Sequence, residues 1–249
     1  MERWVGKLAI VTGVSSGIGE AITRALVGNG VNVLGLARRE DKLKELSKKL
    51  EKSKGSFHYA KCDVRQEKDI LNAFTLAENK FGGINILVNN AGIATSGVIT
   101  DTTTENFEAV LDVNVLAPAI CIREAIKSMR KNKKEGHIFN INSVAGLRAT
   151  AAGIPLHIYP ASKFALRGMT ENLRVELAKN KDIIRLTSIY PGLVKTEILE
   201  KGNVGNKIFD LVPYLETKDI SDSLIFALSA PPNVQLEDLV ITPTASMKA

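Results

Sequence analysis

Short apolar strands alternate with amphipathic helices along almost the whole chain, and that alternation leaves few folds open. Strand patterns fall at residues 8–11, 31–37, 57–62, 84–88, 137–142, 183–189 and 239–241. Helical periodicity fills the gaps at 17–27, 39–52, 66–81, 158–179 and 218–229, and from 104 through 115 to about 131 with a break near Pro118. In the charged segment 39–52, Leu43, Leu46 and Leu50 share one face. Strands joined by crossover helices run parallel, and a parallel sheet needs helices on both faces. The predicted fold class is therefore α/β, a single doubly wound parallel sheet of about seven strands. With 249 residues and 45% apolar content the chain can fill one such core, so residues 1–249 are read as a single domain.

The glycine-rich segment Thr12-Gly13-Val14-Ser15-Ser16-Gly17-Ile18-Gly19 lies between the first strand and the first helix. Glycines there let backbone approach a pyrophosphate, and the N-terminus of the following helix attracts the anion, as in a Rossmann-type turn. Gly13, Ser15, Ser16, Gly17, Ile18 and Gly19 are the candidate contacts, with a purely packing role for the glycines as the alternative. No lysine follows the last glycine, which disfavours a triphosphate loop. The second strand ends Ala37-Arg38-Arg39, where a free ribose 2′-hydroxyl would call for Asp or Glu. Arginine suits a 2′-phosphate, which points to NADP, although both arginines could simply open a surface helix.

Tyr159 and Lys163 stand four residues apart and so share a helix face. An ammonium beside a phenol favours the phenolate, so the pair is predicted to lower the tyrosine pKa and serve proton transfer. Ser143 upstream could donate a hydrogen bond to a substrate oxygen or cap a strand end, and Asn114 could organise the site or satisfy core backbone groups. No Gly-x-Ser-x-Gly elbow surrounds Ser143 to suggest a hydrolase.

These motifs, in this order, resemble the short-chain dehydrogenase/reductase family over nearly the whole chain. The resemblance implies a catalytic set of Asn114, Ser143, Tyr159 and Lys163, with Tyr159 as acid/base and Lys163 also reaching the nicotinamide ribose. It implies cofactor contacts from the glycine turn, from Asp63 and Val64 near the adenine, and from Asn90, Ala91 and Gly92 beside the adenosine. Pro191, Gly192, Val194 and Thr196 match the segment that meets the carboxamide. Asp63 could alternatively be a turn residue. The interval from Ser143 to Tyr159 is longer than the family pattern, so one wall of the substrate pocket departs from it. A narrower similarity, carried by the segments 1–7 and 35–39, is to insect farnesol dehydrogenases and their vertebrate steroid- and carbonyl-reducing relatives. It implies an NADP-dependent oxidoreductase acting on a hydrophobic alcohol or carbonyl, farnesol/farnesal favoured. The alternatives are a steroid or general ketone reductase and, more remotely, a catalytically silent sensor or scaffold. A homodimer or homotetramer is implied by the family alone.

Residues 193–216 are predicted to form a substrate lid; from Glu197 to Leu215 they carry Ile198, Leu199, Ile208, Phe209, Leu211, Val212, Tyr214 and Leu215 as an apolar underside, with an amphipathic helix that only packs on the core as the alternative. The formal charge of +6 is spread over helix faces, and its one dense run, residues 130–134, has no interleaved aromatics, so no nucleic-acid partner is expected. Cys62 and Cys121 build no disulfide framework and no zinc spacing with His58, His137 and His157, so metal is not expected and a reducing, cytoplasmic location is. No apolar run approaches the ~18 residues of a membrane span. The first strand begins too early to leave room for a signal peptide, and Met247-Lys248-Ala249 is not a peroxisomal address.

Overall fold

Five consecutive buried residues, Leu8–Thr12, form β1, and a strand buried on both faces belongs at the centre of a parallel sheet. A computed structural model of the chain describes residues 1–152, 155–198 and 209–244. In it β1 lies between β2 (Asn32–Ala37) and β4 (Ile86–Asn89), with β3 (Phe57–Lys61) outside β2. Beyond β4 follow β5 (Gly136–Ile141), β6 (Ile184–Pro191) and β7 (Asp238–Ile241). The order is β3-β2-β1-β4-β5-β6-β7, and every pairing is parallel, as the alternation predicted.

Period-two alternation divides β1 between two apolar layers. Ala9 and Val11 face a layer that contains Ile22 and Leu26 of α1 (Gly17–Gly28), Leu43, Leu46 and Leu50 of α2 (Glu40–Leu50), and Ile220 and Leu224 of α7 (Thr217–Ser229). Leu8 and Ile10 face the other, which draws on α3 (Glu67–Phe81), α5 (Ala117–Lys131) and α6 (Tyr159–Lys179). Crossovers leave β1 toward β2 on one side and β4 toward β5 on the other. The sheet thus has a switch point outside the C-terminal ends of β1 and β4, where open α/β sheets bind ligands.

The predicted break near Pro118 takes a different form. Helix α4 (Thr104–Leu111) passes into a π-helical turn, Asp112–Leu116, and then into α5 without leaving helical backbone. The N–H of Ala117 donates five residues back to the carbonyl of Asp112, and Pro118 sits within the first two positions of α5. Widening the turn ahead of the proline accommodates its missing N–H, so the helix is offset rather than broken. The offset carries Asn114.

At the switch point the β1–α1 turn closes tightly on itself. Gly13 has φ +73°, and a Cβ on Gly19 would lie 2.3 Å from the carbonyl oxygen of Gly13 and 2.4 Å from Asn90 Nδ2. Packing therefore demands glycine at both positions, whatever the turn binds. Gly19→Ala should lower folding stability by ~1–3 kcal/mol, read as a reduced urea midpoint; an unchanged midpoint would mean that the turn relaxes freely.

Candidate active site

The glycine turn is held by the ends of its neighbouring strands. Gly13 N–H donates to Leu36 C=O at 2.8 Å, while Thr12 Oγ1 accepts the N–H groups of Asn90 and Ala91, each at 3.0 Å. The Asn90 amide returns a bond to Thr12 C=O at 2.8 Å. Ser16 precedes α1, but its hydroxyl does not cap the helix; it accepts Arg39 Nη2 at 2.7 Å. The first-turn amides of Gly17, Ile18 and Gly19 therefore have no hydrogen-bond partner among the described residues. Free amides at the positive end of a helix suit a pyrophosphate, so the turn fits a dinucleotide.

The two arginines after β2 behave differently. Arg39 folds back on the turn, donating to Ser15 Oγ at 3.0 Å and to Ser16, and pairs with Glu197 at 3.1 Å. Arg38 is exposed and has no hydrogen bond or ion pair among the described residues, although its charge helps to hold the Asp63 pKa low. The main cause of that depression is Arg65, which grips the Asp63 carboxylate at 2.7 Å. Arg65 is a site neighbour that sequence reasoning missed, although its place two residues after Asp63 was a signal for such a local pair. Val64 shares a crevice with Thr12, Asn89 and Ala91, which brings the β3 end to the switch point.

Ser143, Tyr159 and Lys163 converge beyond the end of β5. Ser143 is extended, with φ −167°, and its Oγ accepts Ala145 N–H at 3.1 Å, capping a 3₁₀ turn over Val144–Gly146. The same side chain lies close enough to Tyr159 to act on its pKa, so the capping role and a place in the site coexist. Lys163, one helical turn after Tyr159, is only 5% exposed. Its Nζ lies 5.7 Å from the centroid of the Tyr159 ring and donates to Ile141 C=O at 3.0 Å. A Cβ on Gly92 would be 3.9 Å from this Nζ and 3.5 Å from Asn114 Oδ1, so Asn90-Ala91-Gly92 links the glycine turn to the lysine.

The predicted lowering of the Tyr159 pKa by Lys163 is not what the structure gives. Burial raises the phenol above its ordinary value, and the nearby Ser143 hydroxyl opposes the rise. Burial also lowers Lys163 to about 8. Desolvation outweighs mutual attraction because Lys163 is buried with its ammonium turned to a backbone carbonyl, while Tyr159 is half-buried.

Asn114 occupies its amide fully. Oδ1 accepts Ile93 N–H at 3.0 Å, while Nδ2 donates to Ile93 C=O at 2.9 Å and to Ser162 Oγ at 3.0 Å. Ser162 in turn donates to the carbonyl of Tyr159 at 2.7 Å, so the π-helical turn is wired to the first residue of α6. Asn142, which the sequence reading did not select, fixes the same helix: Nδ2 donates to Lys163 C=O at 3.2 Å and Oδ1 accepts Ser143 N–H at 2.9 Å. Its place directly before Ser143 was the only cue.

After β6, Gly192 N–H donates to Ile241 C=O at 2.7 Å, and the chain turns back over the glycine turn. A Cβ on Gly17 would meet Thr196 Cγ2 at 3.3 Å. Val194 and Leu215 form a parallel bridge, with Lys195 N–H to Leu215 C=O at 2.9 Å and Leu215 N–H to Leu193 C=O at 2.8 Å, so the two ends of the predicted lid meet. Leu215 is buried, Phe209 and Tyr214 stack edge to face, and Leu211 is 80% exposed, so it forms no part of an apolar underside. Leu199 and Ile208 lie outside the described residues.

A doubly wound sheet with a glycine turn at its switch point and a serine, tyrosine and lysine gathered at the same edge defines the class of dinucleotide-dependent oxidoreductases. A model of the short chain dehydrogenase family matches residues 7–206. The chain belongs to that family, the short-chain dehydrogenases. It is 43% identical over 248 residues to a farnesol dehydrogenase of Aedes aegypti, covering 98% of both chains. It is 39% identical over 252 residues to dehydrogenase/reductase SDR family member 11 of Gallus gallus, again with 98% of both chains covered. Among solved structures, the closed form of a serine dehydrogenase complexed with NADP+ superposes with a TM-score of 0.86 at 30% identity, covering 97% of each chain. An alcohol dehydrogenase of Thermococcus sibiricus complexed with 5-hydroxy-NADP shares the fold, with a TM-score of 0.86 at 24% identity over 98% of this chain and 99% of that one.

Lys163 ties the site's chemistry to folding in a testable way. Unfolding restores an ordinary lysine near 10.5, so below pH 8 the folded protein carries a buried ammonium at a cost, and the cost fades as pH rises from about 8 to 10.5. Lys163→Met should abolish turnover without lowering the thermal midpoint, and its stability relative to the parent should be greatest below pH 8. Differential scanning calorimetry from pH 6 to 10 checks this; a uniform loss of stability across that range would contradict it.

Proposed function

We propose that this chain is an NADP-dependent oxidoreductase that interconverts a hydrophobic alcohol and its carbonyl, with an isoprenoid such as farnesol and farnesal as the favoured pair. The gathering of Ser143, Tyr159 and Lys163 beyond β5, with the Lys163 ammonium 5.7 Å from the Tyr159 ring centroid and facing Gly92 of the segment bonded to the glycine turn, is the observation that carries the proposal. A phenol so placed can pass a proton to an oxygen held by the serine. When bound, a nicotinamide dinucleotide supplies or accepts the hydride. In reduction the Tyr159 hydroxyl protonates the alkoxide oxygen formed at the carbonyl, and in oxidation the Tyr159 phenolate takes the alcohol proton back. Ser143 Oγ donates a second hydrogen bond to that oxygen, and Asn114 holds α6 in place for both.

For the cofactor, the amides of Gly17, Ile18 and Gly19, with Gly13, Ser15 and Ser16 beside them, suit the pyrophosphate. Arg38 is exposed and without an ion pair among the described residues, which suits it to a 2′-phosphate, whereas Arg39 braces the turn. Asp63 and Val64 border the adenine, Asn90, Ala91 and Gly92 the adenosine, and Lys163 the nicotinamide ribose. Pro191, Gly192, Val194 and Thr196 take the carboxamide end. NADP-bound structural neighbours support the choice of NADP, and the farnesol dehydrogenase relative supports the substrate class.

The protein works as a homodimer or homotetramer in the cytoplasm; exposed Leu116, Phe164 and Val175 provide apolar surface for association, and the buried, unpaired thiols of Cys62 and Cys121 suit a reducing compartment. A steroid or general ketone reductase would use the same residues, and the similarity to the chicken SDR relative keeps that alternative open. A silent sensor would have no use for the cost of burying Lys163.

Turnover of farnesol, a retinoid, a steroid and a short ketone, followed by NADPH absorbance, tests the substrate class. Tyr159→Phe should cut turnover by ~10²–10⁴-fold while NADPH binding, read by fluorescence, stays unchanged; an unaltered rate would remove Tyr159 from the mechanism. Arg38→Asp should shift preference toward NAD, and an unaltered NADPH/NADH ratio of kcat/KM would refute the cofactor assignment.

A further inference from the structure

The turn ahead of Tyr159 contains a residue to which the proposed chemistry gives no part. His157 has φ +33°, a left-handed backbone that a histidine keeps only when its surroundings hold it there. Both ring nitrogens are engaged. Nδ1 accepts the N–H of Ile158 at 2.7 Å, which places the proton of the neutral ring on Nε2, hydrogen-bonded to Thr95 Oγ1. The ring also meets Phe107 edge to face, with centroids 5.9 Å apart. Burial lowers the His157 pKa and so favours the neutral form that this arrangement needs.

The backbone around the ring joins two loops. Gly97 N–H donates to Pro155 C=O at 3.1 Å and His157 N–H to Gly97 C=O at 3.0 Å, a parallel bridge between the loop after β4 and the turn before α6. Tyr159 N–H then donates to Leu156 C=O at 2.9 Å, inside that bridge. Ile158 is the N-cap of α6, with no side-chain cap of its own, and Pro160 has no N–H to offer. The imidazole thus takes up the N–H of the N-cap residue itself, at the point where the chain enters α6.

We propose that His157 is a positioning residue for Tyr159, its ring clasping the loop after β4 to the first turn of α6 and thereby fixing where the phenol stands. The clasp can be read without any substrate; its consequence for turnover rests on the oxidoreductase reading above. Removing the ring leaves the Ile158 N–H unpaired and the left-handed backbone unsupported, so the chain entering α6 at Ile158 and Tyr159 loosens while the helix from Ser162 on, held by Asn114 and Asn142, stays in place. Misplacing a reacting group by an ångström costs on the order of 100-fold in rate.

The test compares His157→Ala, His157→Gly and His157→Asn in the full-length protein. Glycine relieves the backbone but offers no acceptor, whereas asparagine tolerates the left-handed region and brings an oxygen for the Ile158 N–H. With NADPH bound, amide exchange at Ile158 and Tyr159 should quicken about tenfold or more in the Ala and Gly variants, while amides of β5 and the C-terminal half of α6 stay protected. On whichever substrate the parent turns over, kcat should fall roughly 10- to 100-fold in Ala and Gly with NADPH affinity unchanged, and Asn should recover most of it. The proposal is overturned if the Ala variant matches the parent in exchange and kcat, if Gly recovers as well as Asn, or if Ala and Asn lose activity and thermal stability alike. Should the parent turn over nothing, the oxidoreductase reading fails, and the exchange data alone still decide the clasp.

Discussion

The ammonium of Lys163 is buried against a single backbone carbonyl, that of Ile141, and the architecture around it exists to keep it there. Enclosing a charge costs several kcal/mol even after relaxation, so a lysine left to itself would rotate α6 toward water. The surrounding structure prevents that rotation. Asn142 grips the Lys163 carbonyl, Asn114 reaches the same helix through Ser162, and the 3₁₀ turn after Ser143 packs so closely that a Cβ on Gly146 would lie 2.9 Å from Lys163 O.

These contacts belong to a longer polar seam that crosses the sheet at its switch point. Thr12 and Asn90 lock β1 to the chain leaving β4, Asn89 donates to Asn140 on β5 at 2.9 Å, and Asn140 donates to Thr170 on α6 at 2.9 Å. Buried amides of this kind are costly unless partnered, and partnered they fix one register. The seam joins the turn suited to a dinucleotide to the helix bearing Tyr159, so the two are placed by one hydrogen-bonded unit rather than by two separate loops.

Much of this was legible from the chain alone. The strands betrayed themselves by apolar runs such as Leu8-Ala9-Ile10-Val11, and α2 by the spacing of Leu43, Leu46 and Leu50, because burial on a sheet or helix imposes a period that composition records. The glycine turn and the Tyr159–Lys163 pair were equally plain, since their spacing is local. The π-helical offset was not. Pro118 signals a disturbed helix, but whether the chain kinks, breaks or widens depends on what packs around it, and here the wide turn carries Asn114 to Ile93 and Ser162. Arg38 and Arg39 could not be separated either, because adjacent identical side chains differ only in what lies within reach: Ser15, Ser16 and Glu197 for one, solvent near Asp63 for the other.

By itself the sequence determined the order of elements, the parallel sense of the sheet, the glycine turn and the identity of the residues at its C-terminal edge, since each follows from periodicity or from spacing within one element. Only the tertiary structure decided what those residues are to one another. It set the direction of the Tyr159 and Lys163 pKa shifts, because burial is a property of the whole fold and here outweighs the attraction that proximity suggested. It also brought Gly97, Thr95 and Phe107 to His157, contacts between residues far apart in the chain that no local pattern encodes.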